Sequence, residues 1–220
     1  RPPTRSSKTT SCTLSSCTEW VAAGHQLWTP RVKVSNAVST DASTVIFTDE
    51  LNHASIIDAV RLSRPAGKVI YPHSDMKALG DALAEAPRDA RKLILTDGVF
   101  SMEGDLAKLP EIVELAERHD AVVIVDDSHG VGVLGETGRG TVEHFGLLGE
   151  VDVITGTLGK ALGGAAGGYV AASDEVCDLL RQRSRPQLFS NALPPTVACS
   201  ALRAVELMLE EPELLARLRE

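Results

Sequence analysis

The sequence predicts an α/β fold: a mostly parallel sheet flanked by helices. Three observations carry that prediction. Short β-branched apolar runs recur from Val45 onward, the spacing between most of them is long enough for a helix, and polar clusters follow directly where runs end. Runs of this kind, buried on both faces and separated by helices, are typical of a parallel sheet.

The elements follow in order. Strands are expected at Val45–Phe47, Val69–Tyr71, Leu93–Thr96, Val122–Val125, Val153–Thr155 and Tyr169–Ala171. Helices are expected at Ala54–Leu62, Met76–Ala86, Leu109–His119, Glu175–Gln182 and Thr196–Leu209. Pro110 suits a first helical turn, where a missing N–H is not needed, and Pro194 and Pro195 open the helix after them in the same way. The run from Glu210 to Glu220 is charged and helical in character.

Residues 1–44 differ from the remainder, 45–220. Sixteen of the 44 are Ser or Thr, and five Lys or Arg against Glu19 and Asp41 give the head a charge of +3 in a chain of −8. No helix or strand period is sustained there. A transit peptide, a disordered tail and a mistranslated or frameshifted start all fit. The first residue is Arg1 and the final helical run has no terminator, so the chain reads as a piece of a longer protein.

Composition narrows the function classes. The 220 residues, 43% hydrophobic, suffice for one large domain. The acidic balance speaks against a nucleic-acid surface. No run of about 20 apolar residues is present to span a membrane. Cys12, Cys17, Cys177 and Cys199 lack metal-ligand spacing and read as free thiols of a reducing compartment. No export signal stands out, so a cytoplasmic setting is expected, or a mitochondrial one in a eukaryote.

The chemistry concentrates after the strands. Lys160 lies in Thr155-Gly-Thr-Leu-Gly-Lys-Ala-Leu-Gly-Gly164, and Asp126 closes Ala121-Val-Val-Ile-Val-Asp126 and opens Asp126-Asp-Ser-His129. A lysine amine in a Gly/Thr loop and an acid at a neighbouring strand end are what pyridoxal 5'-phosphate (PLP) chemistry requires. The amine forms a Schiff base, and the acid keeps the pyridine nitrogen protonated. Thr157, in a loop rich in N–H donors, fits either a phosphate contact or turn chemistry. His53, in Asn52-His-Ala-Ser55, fits either a helix cap or a flat ring stacked on a cofactor. Ser101, in Asp97-Gly-Val-Phe-Ser-Met-Glu-Gly104, offers a hydroxyl but no nucleophile elbow. Arg181–Ser190 is locally basic and fits an anion contact or a solvated helix end.

Two phosphate-loop patterns fail. Gly130-Val-Gly-Val-Leu-Gly135 is followed by a second glycine cluster rather than the helix N-terminus that a dinucleotide site needs. At Gly159-Lys160, Ile154 and Ala161 occupy the positions of the first glycine and the Ser/Thr of a Walker A loop.

Together with Asp49-Glu-Leu-Asn-His-Ala-Ser-Ile-Ile-Asp58 and Arg181-Gln-Arg-Ser-Arg-Pro-Gln-Leu-Phe-Ser-Asn191, these motifs resemble the α-oxoamine synthase family of fold-type I PLP enzymes. The resemblance covers Val45 to Glu220 and implies the large PLP-binding domain of the aspartate aminotransferase-like fold, without its C-terminal small domain. It implies Lys160 as Schiff-base lysine and base, Asp126 on the pyridine nitrogen and His53 on the ring face. It puts His129 and Ser101 near the ring hydroxyl, Thr157 on the phosphate, and Phe189 and Ser190 on the phosphate of a neighbouring subunit, hence a homodimer. Members join an amino acid to an acyl-CoA. The motifs look nearest to the glycine C-acetyltransferase branch, which joins glycine to acetyl-CoA. The alternatives are the 8-amino-7-oxononanoate synthase branch, taking alanine and a pimeloyl thioester, and a catalytically dead dimerising fragment. A glycine-bearing phosphate turn upstream of His53, expected of the family, is not displayed by residues 1–44.

Overall fold

The structure is a computed structural model that describes residues 43–220 apart from 164, 165 and 190. Six strands form one sheet: β1 (Thr44–Asp49), β2 (Gly67–Tyr71), β3 (Arg91–Asp97), β4 (Ala121–Asp126), β5 (Val153–Thr157) and β6 (Gly168–Ala172). Their order is β2-β1-β3-β4-β5-β6. The first five are mutually parallel, and β6 runs antiparallel to β5. The reversal has a simple cause. Only residues 158–167 join β5 to β6, too short a link for a parallel crossover.

The helices are α1 (Ala54–Ser63), α2 (Met76–Glu85), α3 (Leu109–His119), α4 (Thr141–His144), α5 (Asp174–Arg183), α6 (Arg185–Phe189), α7 (Pro195–Glu210) and α8 (Glu213–Arg219). Local chemistry sets their ends. Asp75 caps α2 by accepting from the Ala78 N–H at 2.9 Å, and Ser173 caps α5. Pro110 occupies the first turn of α3, which stops where Asp120 turns left-handed at φ 52°.

The sheet is covered on both faces. On one, Phe47, Ile94, Val123 and Val125 pack against Leu79 and Leu83 of α2 and Leu109 and Ile112 of α3, forming the main core. On the other, α1 presents Ile56 and Val60 to Ile46 and Leu93, while α5 presents Val176 to Val153. The strict alternation of buried and half-buried positions along β4 records this difference between the faces.

Two expectations need correction. Thr44, assigned to the atypical head, is fully buried and begins β1. Thr157 is not in a loop. It is the last residue of β5, paired with Gly168. Residues 1–42 lie outside the described residues.

Candidate functional site

Parallel strands put all their carboxyl ends on one edge, where α/β sheets bind ligands. In this chain that edge is unusually acidic: β1 ends in Asp49, β3 in Asp97 and β4 in Asp126. The loops leaving it carry His53, Ser101, His129 and Lys160.

The structure brings Lys160 and His129 together. Lys160 Nζ lies 2.8 Å from His129 Nε2, although 31 positions separate them in the chain. With the ammonium as donor, Nε2 accepts. Partial burial first, and the Lys160 charge second, hold the imidazole below its ordinary range, with Asp126 opposing. Lys160 itself is exposed. Asp126 is half-buried, and one of its carboxylate oxygens accepts from the Ser128 N–H at 3.0 Å. No basic side chain among the described residues forms an ion pair with it.

The other candidates are placed as follows. His53 is the N-cap of α1, its Nδ1 accepting from the Ser55 N–H at 3.2 Å, and its ring stays exposed. Thr157 donates to Gly167 O and accepts from Gly159 N–H, both at 3.2 Å, bracing the turn that leads to Lys160. Ser101 stands exposed in the loop after β3 and makes no hydrogen bond to His129, Asp126 or Lys160. Phe189, at the end of α6, is 77% exposed and remote in sequence from the cluster. Ser190 lies outside the described residues.

Three acidic or basic groups at this edge escaped the sequence reading. Asp97 is the cross-strand partner of Asp126 and accepts from the His53 N–H at 2.6 Å. Burial, partly offset by that N–H and reinforced by Asp126, pushes its carboxyl up to about 6. Asp127 is fully buried. One oxygen accepts from the Thr141 N–H at 2.7 Å, and the other has no partner among the described residues. His73 bridges Asp49 at 2.9 Å and Asp105 at 2.8 Å, with Phe100 edge-on to its ring. Asp97 and Asp127 had one available signal, namely an acid at the end of an apolar run. Their pairing depends on strand register, which no local pattern encodes.

The donor set suits the expected cofactor. An accessible amine, a carboxylate without a cationic partner and an exposed imidazole share one sheet edge. An open apolar groove of about 220 Å³, lined by Ile56, Leu95, Ile124 and Thr155 among others, leads to Asp126.

Comparison with known proteins agrees with the fold and the cofactor. The family model for aminotransferase class I and II matches residues 32–220. The chain is 55% identical over 179 residues to an 8-amino-7-oxononanoate synthase of Thermosipho melanesiensis, covering 81% of this chain and 45% of that protein. It is 52% identical over 176 residues to 8-amino-7-oxononanoate synthase 1 of Bacillus subtilis, covering 80% and 44%. It thus spans less than half the length of these relatives. A solved structure of serine palmitoyltransferase from S. paucimobilis with a bound PLP–myriocin aldimine superposes with a TM-score of 0.77 at 32% identity, covering 84% of this chain and 46% of that one. The sequence reading put the glycine C-acetyltransferase branch nearest, whereas these curated relatives carry the name of its alternative. The chain belongs to the aminotransferase class I and II family.

Proposed function

We propose that this chain is the cofactor-binding part of a PLP-dependent α-oxoamine synthase, which joins an amino acid to an acyl thioester. The observation that carries the reading is the approach of Lys160 to His129 at 2.8 Å on the edge where β4 ends in Asp126. Within the family, the names of the relatives favour alanine and a pimeloyl thioester, giving 8-amino-7-oxononanoate, over glycine and acetyl-CoA.

Lys160 would hold the cofactor covalently, Asp126 its ring nitrogen and Thr157 its phosphate, with His53 against the ring face. Bound there, PLP supplies an electron sink for charge developing at the substrate Cα. The remaining work falls to the chain. The Lys160 amine would serve as the base that takes the Cα proton. His129, its imidazole held below its usual range by burial and by the Lys160 charge, lies within hydrogen-bond reach of the Lys160 amine. The Asp126 carboxylate would hold a proton on the ring nitrogen. A homodimer in the cytoplasm belongs to this reading, as does a role for Phe189 and Ser190 across the subunit boundary.

Two measurements test it. A visible absorbance band on adding PLP should appear in the wild type and vanish in Lys160→Ala; a band that survives the substitution would refute the lysine assignment. In the full-length protein, thiol release with alanine and pimeloyl-CoA should exceed that with glycine and acetyl-CoA. The reverse order would restore the glycine branch.

A further inference from the structure

We propose that Asp97 is a positioning residue that, together with Asn52, fixes the stacking face of His53 over the cofactor position. The inference rests on the function proposed above and adds a residue to its site.

The geometry is reciprocal. The backbone N–H of His53 donates to Asp97 Oδ2 at 2.6 Å, and the backbone N–H of Asp97 donates to Asn52 Oδ1 at 2.8 Å. The Asn52 amide group then donates to Thr48 Oγ1 and to Leu95 O, each at 2.8 Å. Asn52 and Asp97 are only 3% and 5% exposed, so water competes little for these bonds. Residues 52 and 53 are thereby fastened to the end of β3. The register continues the fixation, since Asp97 pairs with Asp126 across β3 and β4, and Asp126 pairs with Thr155 across β4 and β5. His53 and Asp126 thus take their relative position from one strand register rather than from a free loop.

The contact is made at a cost: Asp97 lies beside Asp126 across the strand pair, and burial already disfavours its charge. The acceptor is spent on the N–H of the one residue whose ring is assigned to the cofactor, not on a neighbour further along α1.

The test uses the full-length protein with PLP as the probe. Asp97→Ala should weaken PLP binding roughly tenfold, the loss expected for one charge-assisted buried hydrogen bond, and diminish the visible circular dichroism of the bound cofactor. Asp97→Asn, whose amide oxygen can still accept, should return binding to within about threefold. In a His53→Ala background, Asp97→Ala should add less than about twofold, because its effect runs through the missing ring. Full multiplication of the two losses would overturn the proposal, as would failure of Asp97→Asn to rescue.

If Asp97→Ala does not fold, Asp97→Glu serves instead. It keeps the charge but displaces the oxygens, so the tenfold weakening should persist. Wild-type binding in that variant would refute positioning. Hydrogen exchange at the His53 amide gives a reading without PLP and should be at least about tenfold faster in Asp97→Glu than in the wild type. Should wild-type protein show no PLP band, the functional proposal falls alone. The exchange result still decides whether Asp97 holds His53, and unchanged exchange would overturn that contact.

Discussion

Replacing Asp127 with asparagine should stabilise the chain by an amount that grows above pH 4 and is complete above pH 6. Asp127 is 0% exposed. Its Oδ2 accepts from the Thr141 N–H, while its Oδ1 and the Thr141 hydroxyl oxygen have no hydrogen-bond partner among the described residues. Burial is the largest influence on the carboxyl. The Thr141 contact opposes it, the Asp126 charge adds to it, and the net result is a rise from 3.8 to about 6. At about 1.36 kcal/mol per unit, the ionised form carries a penalty of up to about 3 kcal/mol.

The sign follows from linkage. The folded chain holds this proton more tightly than the unfolded chain, so stability falls as pH rises from about 4 to about 6 and is then level. Asparagine removes the titration. Its oxygen can still accept from Thr141 N–H, and its amide N–H can reach the space occupied by the bare oxygen. At pH 8, Asp127→Asn should therefore gain up to about 3 kcal/mol, a rise of roughly 6 to 12 °C in Tm for a chain of this size. Near pH 4 the two proteins should melt together. Melting followed by far-ultraviolet circular dichroism at both pH values measures the difference. An equal gain at both, or a loss at pH 8, would refute the reasoning.

His73 gives the opposite pH dependence. Partial burial lowers its imidazole, but hydrogen bonds to Asp105 and Asp49 outweigh that and raise it above 6.5. Its contribution is complete below the unfolded value and disappears as pH rises through the folded one, so His73→Asn should destabilise more at pH 5.5 than at pH 9 in urea titrations. Gly140→Ala should lower stability by about 2–5 kcal/mol in the same assay. Gly140 sits at φ 92°, and an added Cβ would collide with the Asp127 carboxylate.

The sequence made most of the sheet legible because its signal is local. Leu109–His119 forms a helix at the expected residues, since Pro110 marks one end and the apolar period marks the rest. The direction of β6 was also within reach, given that a ten-residue link rules out a crossover. The short α4 and α6 left no period to read. At the site, Lys160 and Asp126 announced themselves as charged residues in the polar stretches that follow apolar runs. Asn52, Asp97 and Asp127 did not, because each acts through a backbone N–H or carbonyl brought near by folding. A donor of that kind has no residue identity, so the string of side chains does not reveal it. His53 shows the capping contact and the exposed ring that one of its two readings gave it, and the stacked ring belongs to the proposed function.

The loop from Gly130 to Gly140, which follows directly on His129, is closed from far away. The Arg219 guanidinium in α8 donates to Val133 O at 3.2 Å and also to Gly135 O, and Gly138 abuts Met208 and Leu215. The sheet needs none of these partners to form its ladders. In folding, the scaffold can therefore assemble while this loop is still waiting for residues more than 80 positions later. Ordering beside His129 is then a late event, governed by docking of the terminal helices, and opening of those helices is the motion that would loosen this edge first.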